Sequence, residues 1–310
     1  YLWIFYPDMN SSDLILALKA AGEPSRLRML LLCQGGELTV GEITRILGQS
    51  QPRVSRHLKI LCDARLLERF RERHSVFYRV PANGPFSALV AQLLASIDPD
   101  EAAIEKDADT HRQVLEERVS SAGVEFERDR NWTGSAGSAA DEGRIRWAVL
   151  NLLGDSPVGR LLDVGTGSGR MLRLLGRRTG EAVGVDISAR VLAGARGVIH
   201  GAGLRHCTLR QGDMYALPFA DAEFDTVTFD EVLSVAERPD RALAEAARVL
   251  KPGARILIVD RIAGNSPGLD TAGLAAQFAN LDMRPLRSVP LRLASATLMV
   301  MLVQMSDVRR

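Results

Sequence analysis

From Ser12 to Ile97 the apolar positions recur mostly at steps of three and four, the spacing that lines one face of a helix. Leu14, Ile15, Leu18 and Ala21 share a face of a first helix, which Ser12 can cap. Pro24 stands near the start of a second helix, where its missing N–H costs little, and Leu27, Met29, Leu30 and Leu31 follow. Thr39 can cap a third helix that ends at Gly48 as a C′ residue should. Ser50 and Pro52 open a fourth, running to Ala64. The period then shortens to two across LLERFRERHSVFYRV, which predicts a two-stranded ribbon turning near residues 72–75. Phe86, Leu89, Val90, Leu93, Leu94 and Ile97 return to helical spacing and predict a fifth helix whose apolar stripe needs a partner.

Residues 98–140 are polar, acidic at first and Gly/Ser-rich later, and read as a linker with a helix around 102–119. From Ile145 the pattern changes again. The apolar runs RLLDV, AVGVD, HCTLR, FDTVTF and ARILIVD alternate with helical stretches, the signature of a mostly parallel, doubly wound α/β sheet. MRPLRSV and ATLMVMLVQ add two strands near the C-terminus. The expected organisation is an extension over 1–11, a helical module with a wing over 12–97, a linker over 98–140 and an α/β domain over 141–310.

A length of 310 residues agrees with about two domains. No window approaches the roughly 18 consecutive apolar residues of a membrane span, so a soluble protein without a membrane partner is expected. The opening YLWIFY lacks the basic flank of a signal peptide. Cys33, Cys62 and Cys207 are odd in number and form no CxxC pair, which predicts neither disulfides nor a metal site and fits a cytoplasmic chain with buried thiols. Charge changes the picture more. Residues 45–79 carry a net +6, whereas 98–129 carry a net −7, so a basic module precedes an acidic connector and suggests a nucleic-acid partner for the first part, double-stranded DNA if the helix-turn-helix reading below holds. Arg outnumbers Lys 35 to 4 throughout, so Arg richness alone is no evidence for phosphate binding.

The third and fourth helices have helix-turn-helix proportions. Val54, Leu58 and Leu61 lie on one side of the fourth, leaving Arg56 and Lys59 opposite, with Arg53 and Ser55 on the flanks and Ser50 and Gln51 at its entry. Such a face suits a major groove, with Arg fitted to guanine and Gln51 to adenine. Arg69, Arg71 and Arg73 on the wing suit phosphate contacts, and His57 projects toward the core side. Periodicity alone leaves open a helical module with a solvated basic face. EPSRLRMLLLC, VGEITRILGQSQPRVSRHLKIL and DARLLERFRERHSVFYRV, however, resemble the ArsR family of bacterial transcriptional repressors over nearly all of 12–97. That resemblance implies a winged helix-turn-helix homodimer joined through the first and fifth helices, here Leu14, Leu18, Leu89 and Leu93. VGEITRIL has no Cys where metal-sensing members carry one, so no metal sensing is expected.

In the α/β part, a buried strand runs through Asp163 into a Gly-rich turn, Gly165-Thr166-Gly167-Ser168-Gly169, and then a helix. A dinucleotide fingerprint needs Gly or Ala next, but Arg170 is there. Asp186 ends the following strand, where a carboxylate can accept from ribose hydroxyls, and Asp213-Met214 follows the third. With ALPFADAEFDTVTFDEVL and ALAEAARVLKPGARILIVD these residues resemble the class I, Rossmann-like methyltransferases that use S-adenosylmethionine (SAM), particularly the UbiE-like group. The resemblance implies that Asp163 and residues 165–169 hold the amino-acid end of SAM. It places Asp186 and Ile187 at the ribose, Asp213 and Met214 around the adenine, and Asp230 and Glu231 at the floor near the methyl donor. Many relatives carry a His-rich turn where this chain reads Val232-Leu233-Ser234-Val235, and their lid pattern is only partly matched by Phe126 and Trp132. No catalytic residue can be named, although methyl transfer can proceed by proximity alone. The expected function is a DNA-binding repressor whose methyltransferase-like domain takes SAM or its demethylated product, S-adenosylhomocysteine (SAH), as effector. The alternative is an active methyltransferase of a small molecule with an autoregulatory DNA-binding module. Methylation of DNA bases is disfavoured, because Asp230-Glu231-Val232-Leu233 is unlike the Asn-Pro-Pro-Tyr type.

Overall fold

The computed structural model describes residues 10–72, 75–81, 84–128, 138–262, 271–294 and 296–307. Arg73, Trp132, the side chain of Phe126 and residues 1–9 of the expected extension lie outside them. The chain divides into two compact units, residues 1–118 and 119–310. Among the described residues no helix is long and apolar enough to cross a membrane.

In the first unit, α1 (Ser11–Ala21) is capped by Asn10, whose side chain accepts from Asp13 N, two residues ahead of the expected Ser12. Its inward face is also not the expected one. Ala17, Ala20 and Ala21 are buried while Ile15, Leu16 and Leu18 are 51, 51 and 44 % exposed. Three alanines let α1 approach its neighbours closely, and the bulky side chains are turned outward. Next come α2 (Pro24–Gln34), β1 (Leu38–Thr39) and α3 (Val40–Leu47). Thr39 and Glu42 form a reciprocal capping box at the start of α3, and Gly48 closes it in the left-handed region at φ 61°. α4 (Gln51–Asp63) buries Val54, Leu58 and Leu61. The wing is β2 (Glu68–Glu72) paired antiparallel with β3 (Ser75–Arg79), with Phe70 stacked on Phe77, and β1 adds a third strand beside β3. α5 (Ser87–Ala95) buries Val90 and Leu94.

Residues 98–140, expected as a linker, contain α6 (Ala102–Arg128), a 27-residue helix. Its first half belongs to the core of the first unit. Ile104, Asp107, Val114 and Arg118 are buried, and the His111 ring lies against Gly35. Arg28 of α2 makes two 2.6 Å bonds to Asp107, and Arg45 of α3 pairs with Glu117. Arg118 donates to both carboxylate oxygens of Glu42, at 2.7 and 2.6 Å, and to the Glu37 carbonyl.

The second unit opens with α7 (Ala139–Leu153) and then alternates β4 (Leu161–Val164), α8 (Arg170–Leu175), β5 (Ala182–Asp186), α9 (Ala189–Gly201) and β6 (Cys207–Gln211). It continues with β7 (Phe224–Asp230), α10 (Pro239–Val249), β8 (Leu250–Arg261), α11 (Thr271–Asn280), β9 (Met283–Arg292) and β10 (Thr297–Met305). The seven strands lie in the order β6-β5-β4-β7-β8-β10-β9; the first five are parallel, and β10 runs antiparallel to both its neighbours. Alternate side chains of each strand serve the two faces, as the pleat requires. Leu161, Leu257, Val259 and Val300 pack with α7, α8 and α9, whereas Leu162, Val164, Ile256 and Ile258 pack with α10 and α11. Both faces are covered, which is why the parallel strands read as continuous apolar runs. The strand order reverses between β4 and β7, the position where open α/β sheets bind ligands beyond their carboxyl ends.

Candidate functional site

The first unit presents a basic helix face. On α4, Gln51, Arg53, Ser55, Arg56 and Lys59 are exposed opposite the buried Val54, Leu58 and Leu61, with Ser50 exposed at the N-cap. Lys59 pairs with Asp63 one turn on, at 2.8 Å. His57 is half-buried beside Glu23, and burial is the main reason its ring is held below the usual histidine range. Arg71 is exposed on β2.

In the second unit a cavity of about 440 Å³ opens at the carboxyl ends of the parallel strands, within the range of small-ligand sites. Gly165, Asp186, Ile187, Asp213, Met214 and Glu231 line it, together with Val185, Gly212, Tyr215, Val232, Val235 and Glu237. The backbone of the Gly-rich turn is what makes this possible. Gly165, at φ 67°, passes so close to the turn after β7 that a Cβ would lie 2.4 Å from Val232 Cγ2. Gly167 donates to Asp186 Oδ2 at 3.1 Å and Ser188 donates to Asp186 Oδ1 at 2.9 Å. Burial holds the Asp186 carboxyl above its ordinary range against the pull of these N–H groups.

Asp163, Thr166, Gly167, Ser168, Gly169 and Asp230 are not among the residues lining the cavity. Asp163 is almost wholly buried, with Thr166 Oγ1 donating to one carboxylate oxygen at 2.7 Å and Thr228 Oγ1 to the other at 2.6 Å. It ties the Gly-rich turn to β7, and burial pushes its carboxyl up to about 7. Asp230 is bound bidentately by Arg170, from Nε at 2.6 Å and from Nη2. Burial raises the Asp230 carboxyl, and the Arg170 guanidinium opposes that shift.

Glu231, 6 % exposed and in the left-handed region at φ 56°, accepts from Arg170 Nη2 at 2.9 Å and from Arg261 Nε at 3.2 Å. Asp260, buried at the end of β8, accepts from the backbone N–H groups of Leu233 and Ser234 at 2.7 and 3.1 Å and so fixes the turn that carries Val232 and Val235. Tyr215, Glu237, Arg261 and Asp260 escape sequence reasoning. Tyr215 follows directly on Asp213-Met214, so its place was within reach of the motif, whereas Arg261 and Asp260 come from a strand end far along the chain.

These residues fit a ligand that carries a nucleoside. A carboxylate offers about four acceptor positions, so Asp186 keeps capacity for a hydroxyl donor beyond the backbone N–H groups of Gly167, Ile187 and Ser188. Ile187, Met214 and Val235 supply apolar surface for a flat base. Among the described residues no group of His, Cys, Asp and Glu is arranged to hold a metal ion.

Comparison with known proteins agrees with this geometry. Residues 162–258 match the family profile described as methyltransferase domain, and residues 23–69 match that of the bacterial regulatory proteins of the arsR family. A phosphatidylethanolamine N-methyltransferase from Cereibacter sphaeroides is 36 % identical over 149 residues, 47 % of this chain and 71 % of that one. A demethylmenaquinone methyltransferase from Thermobifida fusca is 32 % identical over 196 residues, 59 % of this chain and 75 % of that one. The ubiquinone/menaquinone biosynthesis C-methyltransferase UbiE from Desulfotalea psychrophila is 35 % identical over 119 residues, 38 % of this chain and 47 % of that one. The chain spans about half the length of several other curated relatives it matches.

Proposed function

Because the chain belongs to the methyltransferase family and carries an ArsR-family helix-turn-helix domain ahead of its methyltransferase domain, we propose that it is a DNA-binding repressor with SAM or SAH as effector. The observation that carries this reading is the cavity at the β4/β7 switch point, with Asp186 at a strand end, on the same chain as the exposed basic face of α4. Asp186 would hold the ribose, Met214 and Asp213 the adenine, and Gly165 the passage to the amino-acid end. SAM, when bound, supplies an electrophilic methyl group on a sulfonium.

An effector must bind the DNA-competent and DNA-incompetent states unequally. α6 offers a route for that difference. It is the helix through which the chain leaves the first unit, and Arg118 grips Glu42, the residue that closes the capping box of α3. A pull on α6 is thereby a pull on the first helix of the helix-turn-helix.

The repressor acts as a homodimer through α1 and α5. Leu18 is exposed beside Ile15 and Leu16, and Leu14, Leu89 and Leu93 are only partly buried, so an apolar face is available to a second copy. Asp186→Ala tests the effector assignment. It should abolish the response of DNA binding to SAM or SAH and leave ligand-free DNA binding intact; equal loss of both would remove Asp186 from the effector site.

The names of the relatives favour a second reading, transfer of the methyl group to a small-molecule acceptor. Formation of SAH from SAM with a candidate acceptor, followed by chromatography, separates the two.

A further inference from the structure

On α4, His57 stands one turn after Arg53 and directly after Arg56, with its side chain only 13 % exposed. Its Nε2 accepts from Arg53 Nε at 3.5 Å, so the proton of the neutral ring sits on Nδ1. Nδ1 faces Glu23 Oε2 at 3.8 Å, too far for a hydrogen bond, and is without another partner among the described residues. Glu23 precedes α2 and accepts from Arg26 N at 2.9 Å; against burial, the N–H groups of Arg26 and Ser25 and the Ser25 hydroxyl hold its carboxyl below the usual carboxylate range. Its other oxygen lies 3.9 Å from Arg53 Nη2, and the buried Ser25 Oγ accepts from the same Nη2 at 3.5 Å and from Gln49 Nε2 at 3.0 Å. Arg53 is thus drawn toward α2 on three long contacts while remaining 57 % exposed. The charged groups that face the ring are Glu23 and Arg26 from the start of α2 and Arg53 and Arg56 from α4 itself. α1 reaches the cluster through the Lys19 and Ala20 carbonyls, which accept from Arg26. Burial, opposed by Glu23 and reinforced by the three guanidiniums, holds the ring below the usual histidine range.

A protonated imidazole has no lone pair on Nε2, and both its nitrogens donate. Protonating His57 and keeping Arg53 on its Nε2 therefore exclude one another, while the Nδ1–H stays directed at Glu23. A DNA phosphate that takes up Arg53 vacates Nε2 and sets negative charge against the guanidiniums that repel the proton. Resting on the DNA-binding reading above, we propose that His57 is a positioning residue for Arg53: the neutral ring holds the guanidinium against α2, and DNA draws it off as the ring takes up a proton from solvent. The ring binds its proton more tightly on DNA than off it. The gain in affinity is therefore complete below the ring's pKa in the free protein and is lost as pH rises through its higher value on DNA.

The test is the affinity of the full chain for its own upstream DNA from about pH 8 to about pH 5.5 at one fixed salt concentration. Calorimetry in two buffers of different ionisation enthalpy counts the protons taken up on binding. His57→Gln keeps an oxygen that can accept from Arg53 but takes no proton. Relative to that variant, wild-type affinity should gain about threefold to tenfold as pH falls across the range, one proton being worth at most about tenfold per pH unit. Wild type should also take up a fraction of a proton more on binding. Glu23→Gln keeps an acceptor for the Arg26 N–H but loses the charge that favours the protonated ring, so its gain should come at lower pH, and it keeps the test open if His57→Gln does not fold. Arg53→Gln should bind DNA more weakly and take up less of a proton. The same pH profile and proton count in wild type and His57→Gln, or a Glu23→Gln profile that does not move, would overturn the inference and leave the DNA-binding reading standing. Wild-type protein that bound no DNA across the whole range would overturn both.

Discussion

Asp163 sits at the bottom of the Gly-rich turn, where burial pushes its carboxyl from 3.8 up to about 7 despite two threonine hydroxyls donating to it. A carboxyl raised in the folded state keeps its proton there after the unfolded chain has lost it. Between 3.8 and about 7 the folded form thus holds more protons, and stability falls as pH rises through that window. Asp163→Asn should flatten this dependence, read as a smaller change in Tm of the methyltransferase domain between the two ends of the window; an unchanged slope would place the titration elsewhere. At the other functional face, Arg56→Ala should weaken DNA binding by about 1–3 kcal/mol if it reads a base, with SAM binding unchanged. The strand-end acids Asp186 and Asp213 were legible because a carboxylate at a parallel strand's end is informative by itself. The Arg170–Glu231–Arg261 contact was not, since it joins the ends of three separate elements and no local pattern announces it.

α6 shows the limit of reading elements by apolar periodicity. Its inward positions, 104, 107, 111, 114 and 118, keep helical steps of three and four, but Asp107, His111 and Arg118 occupy three of them. Ion pairs to α2 and α3 replace apolar contacts, so the segment reads as an acidic linker although it packs as a sixth helix of the first unit. In α1 the converse holds: Ile15 and Leu18 mark an apolar face, but alanines make the intramolecular contact.

Arg118→Ala would take the guanidinium away from Glu42, which keeps its bonds from Thr39, and from the Glu37 carbonyl. Breaking a buried pair of this kind costs about 3–5 kcal/mol, and the loss should appear as faster amide exchange across α6 and the start of α3. His111 adds a pH dependence. Its Nε2 is buried with no hydrogen-bond partner among the described residues, and burial, reinforced by Arg118 and opposed by Glu42, lowers its pKa from 6.5. Below 6.5 the undocked helix binds the extra proton more readily, so docking weakens as pH falls. Hydrogen exchange over 102–118 should be faster at about pH 5 than at neutrality, after correction for intrinsic rates. A His111→Gln variant should lose that difference; its persistence would clear His111 of the role.

On the scale of the whole molecule, the order of parts was plain from the change of period near residue 145 and the two sets of motifs. The insertion of β10 between β8 and β9 was not, because strand order is set by long-range packing and not by any one segment. The functional claim is also a whole-molecule property: ligand in the second unit must alter DNA affinity in the first. Typical couplings of about 1–3 kcal/mol correspond to a 5- to 150-fold change in affinity. Fluorescence anisotropy of the full chain on its own upstream DNA, without ligand, with SAM and with SAH at one fixed salt concentration, measures that coupling directly. The account predicts a change of affinity in that range with SAH. Unchanged DNA affinity with both ligands, under conditions where calorimetry shows them bound, would contradict it.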